Sequence, residues 1–487
     1  MVAWLLLLAC AGDPSTEGHN PLPPKRPGPP AGTEAKAFFA SPTFQLSPAE
    51  GDRRSVLLIS LDTVRADRLG VYGGRAQTPN LSRFAAGGAR YDQAMTHFPE
   101  TCLSHWSMLS GVMPAVHGNV PAHGGSIYTG PTGAEIARKA GYRTAAFIGG
   151  RTLQDAFCGL SRGFDYFDDK LPSRPDVNDR PAKEVLDAAL RWMTAQTGPT
   201  FVFVHLFDAH TPYEPKPAFD VYGDRSLPFD GSARTLAPFL QGEATPTPAQ
   251  VERALSLYDA ELSGLDAELG TFLAKIPHDT VVAITSDHGE SFEHGYYFNH
   301  QLGLWDSVMR VPLLLRGPGV PAGAQIAAQV GHIDLLPTLL DLAGLSADQR
   351  MMGQSTTPLL RGEGQGRAEV FATTDPWLPQ SRFALRTPTH KALYLPDEAQ
   401  GFDLLADPGE TQPMDIPEGL SGGRAAYEAL IAGHAPHQVA PPASRSLGQE
   451  ERNQLEALGY IDPPPPQPPR PSPPPPGPRP PPRPPSP

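Results

Sequence analysis

Five short apolar runs recur through the middle of the chain, with helical stretches between them. Each run is almost continuous in Val, Ile, Leu, Phe and Ala, the pattern of a parallel strand that is buried on both faces. Helices are predicted over 182–197 and 248–276. This alternation predicts an α/β fold with a mostly parallel central sheet covered by helices on both faces. The five predicted strands are 55–61, 144–148, 201–206, 280–285 and 311–315.

The composition changes at about residue 50, after residue 345 and again near the end of the chain. The segment before it is rich in Pro, Gly, Ala and Glu and predicts a flexible linker. After residue 345 the chain is loop-rich, with strand candidates at 370–372 and 391–394, which predicts a smaller C-terminal subdomain of the same fold. The end of the chain is almost entirely proline and predicts a disordered polyproline II tail. The predicted divisions are a signal segment (1–10), a linker (11–50), a main α/β domain (51–345), the subdomain (346–462) and the tail (463–487).

A short apolar run at the start of the chain ends at Cys10. The run, 4–9, is far too short to cross a bilayer as a helix. Its end, Leu-Leu-Ala-Cys at 7–10, resembles the lipobox of a bacterial lipoprotein. This interpretation predicts a lipid anchor on Cys10 and an exported, membrane-anchored protein that faces the periplasm or the cell surface. The alternative is an ordinary apolar N-terminus.

The two other cysteines are Cys102 and Cys158. Three cysteines are too few for a disulfide framework, and no spacing typical of a zinc site occurs. For Cys102 and Cys158 we favour two buried thiols, with a bridge between them as the open alternative.

The 487-residue chain carries a formal net charge of −13 at pH 7. Because nucleic-acid binders usually present a basic face, this charge argues against a nucleic-acid partner. It does not exclude an anionic substrate, since a local metal ion and a few cations can attract one.

Acidic residues follow two of the predicted strands directly. Asp62 comes after the first strand, and Asp287 with His288 comes after the fourth. Ligands bind beyond the carboxyl ends of the strands in an open parallel sheet, so these three side chains are expected to converge on one metal ion. For Asp62 alone, capping of a following helix is the alternative interpretation.

A third stretch, 100–111, has the pattern of a loop that enters a helix. A nucleophile at a helix N-terminus faces unpaired N–H groups and the positive end of the helix dipole. Such a position suits an attacking oxyanion and an anionic substrate.

With these motifs the chain resembles the sulfatase family, within the wider alkaline phosphatase superfamily, from about Ser55 to Ile461. The resemblance implies a two-part α/β fold, with 51–345 as the catalytic domain, and a single divalent-metal site. The matching stretches follow in family order and are LDTVRADRLGVYG (61–73), TPNLSRFAAGGARYDQA (78–94), TCLSHWSMLSGVMPAVHG (101–118), GLSRGFDYFDD (159–169), HLFDAHTPYEP (205–215), TSDHGESFEHG (285–295), LWDSVMRVPLLLRGPG (304–319), HIDLLPTLLDLAG (332–344) and LEALGYI (455–461).

The resemblance also implies roles for individual residues. Asp62, Asp287 and His288 correspond to metal ligands. His210 corresponds to a histidine that contacts the sulfuryl or phosphoryl group of the substrate. His300 falls where the family has a Lys or His that stabilises the leaving oxygen.

Two further histidines, His205 and His117, lie in the matching stretches. Both positions also recur as structural histidines, and we favour a structural role for each.

The chain departs from the family at the nucleophile. Sulfatases use a formylglycine made from Cys or Ser in a Cys-x-Pro-x-Arg type motif. Counting back from Ser-Gly at 110–111 places the nucleophile at Thr101, so Cys102 is one position too late. The arginine position holds His105, and formylglycine is therefore not expected. Thr63 replaces a second aspartate, and Gly-Gly-Arg at 149–151 stands where the family has a Lys-x-His pair.

These features predict a metal-dependent hydrolase of sulfate or phosphate esters in which a metal-bound Thr101 is the nucleophile. His105, His210 and His300 complete the predicted catalytic set. One divalent ion is expected, Ca²⁺, Zn²⁺ or Mn²⁺, and His288 with the missing carboxylate at Thr63 favours the last two. The alternatives are a threonine-dependent phosphodiesterase or phosphotransferase that acts on an envelope lipid or glycan, and a degenerate, non-catalytic member that binds a sulfated or phosphorylated glycan.

Overall fold

The computed structural model describes residues 53–118, 128–172, 179–374 and 382–434. The predicted signal segment with Cys10, the linker, the motif at 455–461 and the proline-rich tail lie outside these residues. Within them, no helix combines the length and the apolar composition that crossing a membrane requires.

The strands of the described residues form a large sheet, a smaller sheet and a hairpin. In chain order they are β1 (Val56–Leu61), β2 (Ala89–Met95), β3 (Arg143–Phe147), β4 (Tyr166–Asp168), β5 (Thr200–Leu206), β6 (Val281–Thr285), β7 (Ser291–Glu293), β8 (Tyr296–Asn299), β9 (Arg310–Arg316), β10 (Ala324–Gly331), β11 (Val370–Thr373), β12 (Phe383–Arg386), β13 (His390–Tyr394) and β14 (Ala399–Asp403).

The α-helices alternate with these strands through the first 345 residues. They are α1 (Pro79–Ala86), α2 (Thr101–Ser110), α3 (Pro114–His117), α4 (Gly133–Lys139), α5 (Asp155–Cys158), α6 (Ala182–Thr194), α7 (Ala233–Leu240), α8 (Pro248–Leu273), α9 (Asp306–Met309), α10 (Leu335–Leu342), α11 (Thr357–Leu360) and α12 (Gly423–His434).

The large sheet has the strand order β10-β2-β9-β6-β1-β5-β3-β4. Only β9 runs against its neighbours, so the predicted mostly parallel sheet is confirmed. Successive side chains of β1 enter two separate cores, with Val56 and Leu58 on one face and Leu57 and Ile59 on the other. Helices α2, α4 and α10 cover the first face, and α1, α6 and α8 cover the second. Burial of both faces explains why these strands read as continuous apolar runs.

The central strands bring the predicted site residues to one edge of the sheet. β1 pairs in parallel with β6 on one side and with β5 on the other. Asp62 directly follows β1, and its backbone N–H donates to the carbonyl of Leu206 at the end of β5. The side chains that follow β1, β5 and β6 therefore meet at the carboxyl edge, where open parallel sheets bind their ligands.

The antiparallel strands β11 to β14 form the predicted C-terminal subdomain. A buried ionic network joins it to the main α/β domain. Asp306, the first residue of α9, accepts hydrogen bonds from the Arg386 guanidinium and from Lys391 Nζ. Lys391 also pairs with Glu410 at 2.8 Å. These contacts fix the chain just after the loop that carries His300.

Cys102 and Cys158 form a disulfide, with their Cα atoms 5.6 Å apart. The favoured prediction of two buried thiols was therefore wrong. The two positions are 56 residues apart in sequence, and only the packing of α2 against α5 brings them together.

Candidate metal and ester-hydrolysis site

Asp62, Asp287 and His288 come together at the carboxyl edge of the large sheet. One ligand atom from each lies within 4.8 Å of the others, and all three residues are completely buried. Among the described residues this is the one such group of three or more potential ligands. This geometry agrees with the prediction that the three side chains converge because they follow the ends of neighbouring strands.

Two carboxylate oxygens of this cluster have no hydrogen-bond partner among the described residues. Asp287 Oδ1 accepts backbone N–H groups from Thr63 at 3.2 Å and from His288 at 2.9 Å. Its other oxygen, Oδ2, and Asp62 Oδ1 are buried and have no hydrogen-bond partner among the described residues. Because a buried carboxylate oxygen without a partner is costly, these two atoms fit ligands of a bound cation.

The imidazole of His288 has the orientation of a metal ligand. Its Nδ1 lies 2.9 Å from the carbonyl oxygen of Gly289, to which it donates. Nε2 then carries the lone pair and lies 3.3 Å from Asp287 Oδ2. Burial lowers the pKa of His288 to about 3, so the ring is neutral near pH 7 and its lone pair is available.

The pKa shifts of the two carboxylates also indicate a cation site. Burial, followed by repulsion from Asp287, Glu290 and Glu100, raises the pKa of Asp62 well above its usual range. Burial also raises the pKa of Asp287. Carboxylates this close together and this far from water need a proton or a cation between them. The set therefore fits a divalent ion.

Thr101 begins α2 beside this cluster. Glu100 has an extended backbone and caps the helix, because its carboxylate accepts the N–H groups of Cys102 at 3.3 Å and Leu103 at 3.4 Å. The hydroxyl Oγ1 of Thr101 lies 3.5 Å from Asp62 Oδ2 and 3.4 Å from His288 Nε2. Thr101 thus lies at a helix N-terminus and against two of the three cluster residues.

His105 lies one helical turn beyond Thr101 and is fully buried. Its Nδ1 donates to the carbonyl of Thr101 at 2.6 Å, and its Nε2 accepts from Ser60 Oγ, on β1, at 2.8 Å. The ring also lies 3.7 Å from Asp287 Oδ2. His105 therefore links the backbone of Thr101 to the strand that carries Asp62, which is the geometry of a positioning residue.

His205, at the end of β5, contacts the cluster directly. Its Nε2 lies 2.9 Å from Asp62 Oδ2, and both groups are fully buried. Burial, with the neighbouring histidines, lowers the pKa of His205 well below its usual value, so the neutral ring donates this hydrogen bond. From the sequence, a structural role was favoured for His205 as for His117. The local sequence carries no signal for this contact, because it arises from the strand register that pairs His205 with Ser60, two residues before Asp62.

His117 and Thr63 have different surroundings. The ring of His117 is buried against α2, with Nε2 3.1 Å from the carbonyl of Leu103, which agrees with the structural role favoured for it. Thr63, which replaces an expected aspartate, has a left-handed backbone (φ 57°). Its side chain donates to the carbonyl of Asp62, and its N–H orients Asp287.

His210 and His300 lie next to each other beside His288. Their ring centroids are 5.7 Å apart, and His300 stacks on His288 at 4.0 Å. His210 donates through Nδ1 to the carbonyl of Thr211, and His300 donates through Nδ1 to the carbonyl of Pro99. Both rings therefore present Nε2 as the remaining nitrogen. Burial lowers the pKa of His210 to about 4 and that of His300 well below its usual value.

The family model described as "Sulfatase" matches residues 54–345, more than half of the chain. A second model, "N-sulphoglucosamine sulphohydrolase, C-terminal", matches residues 292–415. The chain therefore belongs to the sulfatase family, of the alkaline phosphatase superfamily.

Curated relatives agree with this assignment. Arylsulfatase K of Homo sapiens is 31% identical over 183 residues, which is 34% of this chain and 34% of the human protein. The matched part thus spans about a third of that relative. Arylsulfatase K of Bos taurus is 24% identical over 424 residues, covering 74% of this chain and 78% of the bovine protein.

Solved structures share the fold. A protein in complex with its substrate D-glucosamine-2-N,6-O-disulfate superimposes with a TM-score of 0.63 at 18% identity, covering 81% of this chain and 100% of the other. A phosphonate monoester hydrolase from Silicibacter pomeroyi superimposes with a TM-score of 0.61 at 20% identity, covering 82% and 98%. These likenesses show an alkaline-phosphatase-like fold.

Proposed function

We propose that this protein is a metal-dependent hydrolase of sulfate or phosphate esters in which Thr101 is the nucleophile. The observation that carries the proposal is the contact of Thr101 Oγ1 with Asp62 and His288, at 3.5 and 3.4 Å. A hydroxyl at this point lies against the cation-binding cluster and at the N-terminus of α2. Both features favour an oxyanion over a neutral hydroxyl.

The residues that would hold the ion are Asp62, Asp287 and His288, with Thr101 as a fourth ligand. When bound, a divalent ion lowers the pKa of the threonine hydroxyl and offsets negative charge on the substrate. The imidazole ligand and the absence of a carboxylate at Thr63 favour Zn²⁺ or Mn²⁺ over Ca²⁺.

The disulfide supports Thr101 rather than Cys102 as the source of the nucleophile. Formylglycine would have to be made from a cysteine thiol, whereas the Cys102 sulfur is bonded to Cys158. The side chain of Cys102 is also held inside the core that α2 forms with the sheet. Thr101 is the residue of this pair whose side chain contacts the cluster.

In the proposed reaction a bond forms from Thr101 Oγ1 to sulfur or phosphorus, and the bond to the leaving oxygen breaks. His210 would contact a non-bridging oxygen of the transferred group. His300 has an unprotonated Nε2, because its Nδ1 donates to Pro99. His300 Nε2 would therefore accept the proton that Thr101 Oγ1 loses and pass it to the leaving oxygen as that bond breaks. Water then attacks the covalent ester and restores the threonine hydroxyl.

A second candidate function is a threonine-dependent phosphodiesterase or phosphotransferase, in which an acceptor alcohol can take the place of water. The observation that favours it is the loss of the formylglycine position, together with His105 at the position where the family has an arginine. The fold likeness to a phosphonate monoester hydrolase is consistent with it. The natural substrate would in either case be an anionic ester.

The test is a set of paired assays with para-nitrophenyl sulfate, para-nitrophenyl phosphate and bis(para-nitrophenyl) phosphate, each with added Zn²⁺, Mn²⁺ or Ca²⁺. Thr101→Ala should abolish turnover, whereas the matched neighbour Cys102→Ala should retain part of it. Activity lost in Cys102→Ala but kept in Thr101→Ala would refute the threonine mechanism. No turnover of any ester with any metal would support a non-catalytic binding protein.

We also propose that the protein is exported and anchored by a lipid on Cys10. A buried disulfide in the catalytic domain supports export, because such bonds persist in oxidising compartments. Mass spectrometry of the N-terminal peptide from membranes would detect the lipid. An unmodified Cys10 in a protein that stays with the soluble fraction would contradict the proposal.

A further inference from the structure

The disulfide lies next to the proposed nucleophile in the chain. Cys102 follows Thr101 in the first turn of α2, and Cys158 is the last residue of α5. Both cysteines are fully buried. No step of the proposed reaction uses either sulfur, so the bridge needs a separate explanation.

Besides the bridge, the first turn of α2 is held by non-covalent contacts: His105 Nδ1 donates to the carbonyl of Thr101, and Ser104 Oγ donates to the carbonyl of Asp287. The first N–H groups of a helix lack partners within the helix, and this turn is the part that frays. Glu100 caps two of them, at the rather long distances of 3.3 and 3.4 Å. The contacts of the Thr101 hydroxyl with the metal cluster are similarly long, at 3.5 and 3.4 Å. The position of Thr101 therefore depends on these hydrogen bonds together with the bridge, which is the covalent contact of this turn.

The partner of the bridge, α5, is itself well anchored. Its first residue, Asp155, donates its N–H to Asp169 Oδ2 at 2.9 Å and accepts the N–H of Ser161 at 2.8 Å. Phe157 is buried in the core on the same face as α2. The indole N–H of Trp106 adds a second link by donating to the carbonyl of Cys158 at 2.9 Å.

From α5 the connection continues into the part of the sheet that carries the site. The short segment before α5 leads directly from β3, and β3 pairs with β5. β5 ends in His205 and Leu206 and pairs in register with β1, which leads to Asp62. The bridge therefore ties the turn that carries Thr101 covalently to α5 and β3, and through strand pairing to β5 and β1, which position His205 and Asp62.

We propose that the Cys102–Cys158 disulfide is a positioning element that holds Thr101 Oγ1 at the metal cluster and thereby sets the turnover number. The proposal rests on the proposed function, because it takes Thr101 as the nucleophile. A displacement of about 1 Å in a reacting group can cost a factor of about 100 in rate. Loss of the bridge should therefore lower kcat by roughly 10- to 100-fold while KM changes little.

The test compares the double variant Cys102→Ala/Cys158→Ala with Ser110→Ala. Ser110 is a matched control because it is buried in the last turn of α2, and its hydroxyl bonds only the carbonyl of Trp106 within the same helix. kcat and KM are measured with the para-nitrophenyl ester that the wild-type protein turns over, well below the melting temperature of each variant. Hydrogen exchange of the amides at 101–104 reports the order of the first turn directly.

The expected result is a lower kcat and faster amide exchange at 101–104 in the double variant, with Ser110→Ala close to wild type in both. A double variant that is folded and keeps the kcat of Ser110→Ala would overturn the proposal. If the double variant does not fold, wild-type protein is reduced stepwise, and kcat must fall in proportion to the bridged fraction measured by thiol alkylation. A constant kcat during this reduction would equally overturn it.

Thr101→Ala separates this proposal from the one on which it rests. An inactive Thr101→Ala with an unaffected double variant refutes the positioning role alone. A fully active Thr101→Ala refutes the threonine mechanism, and the positioning role with it.

Discussion

Replacing His205 should weaken metal binding far more than replacing His117, although both are buried histidines in motifs of the same family. His205 Nε2 donates to Asp62 Oδ2 at 2.9 Å, whereas His117 Nε2 faces the carbonyl of Leu103. In His205→Ala the carboxylate of Asp62 loses this donor and its fixed orientation. In His117→Ala the cluster keeps all of its contacts.

The hydrogen bond that His205→Ala removes joins a neutral ring to a carboxylate and contributes about 1.5 to 3 kcal/mol. That free energy corresponds to roughly a 10- to 100-fold loss of metal affinity, the range usually found when the hydrogen-bond partner of a ligand is removed. Isothermal titration of the metal-free protein with Zn²⁺ or Mn²⁺ measures the dissociation constant. His205→Gln, whose amide reaches about as far as Nε2, should recover part of the affinity.

His117→Ala controls for the loss of a buried ring, because both variants create a cavity in the same domain. The dissociation constant of His117→Ala for the metal ion should stay within about threefold of the wild-type value. Such a change is well below the tenfold change that corresponds to about 1.4 kcal/mol. Equal affinities for His205→Ala and wild type would refute the assignment of Asp62 as a ligand oriented by His205. Equal losses of metal affinity in His205→Ala and His117→Ala would show that the effect comes from lost packing instead.

Three further predictions concern other parts of the molecule. Asp306→Asn should destabilise the fold by about 3 kcal/mol in urea unfolding, because it leaves the buried Arg386 guanidinium without a charged partner and leaves Lys391 with Glu410 alone; a loss below about 1 kcal/mol would contradict this. Burial, followed by repulsion from nearby carboxylates, raises the pKa of Glu261 to about 8 from an ordinary 4.5, so its contribution to stability is lost as pH rises through this window. Glu261→Gln should therefore melt above wild type by a margin that grows between about pH 4.5 and 8, and a margin independent of pH would refute the shift. His300→Ala should reduce turnover of alkyl esters more than that of para-nitrophenyl esters, and an equal reduction would argue against a role at the leaving oxygen.

Much of the fold follows from the apolar runs, because the central strands are buried on both faces. β2 and β10 escaped prediction for the opposite reason: residues such as Arg90 and Gln325 interrupt their apolar pattern. The direction of β9 could not be inferred either, since an antiparallel strand between two others is as apolar as a parallel one.

The metal cluster was predictable because each of its residues lies within about three positions of the end of a central strand. The contact of His205 with Asp62 depends on the pairing of β1 with β5, which the local sequence does not encode. The disulfide was missed for a similar reason: the separation of Cys102 and Cys158 along the chain carries no information about their distance in space.

The central claim is that Thr101 Oγ1 becomes covalently bonded to the transferred group. The most direct measurement is mass spectrometry of protein quenched in acid during turnover of an aryl sulfate or aryl phosphate. The peptide that contains Thr101 should gain the mass of one sulfuryl or phosphoryl group, and fragmentation between residues 101 and 102 should assign it to Thr101. A mass gain on Cys102 or its oxidation product, or turnover without any adduct at 101, would contradict the account.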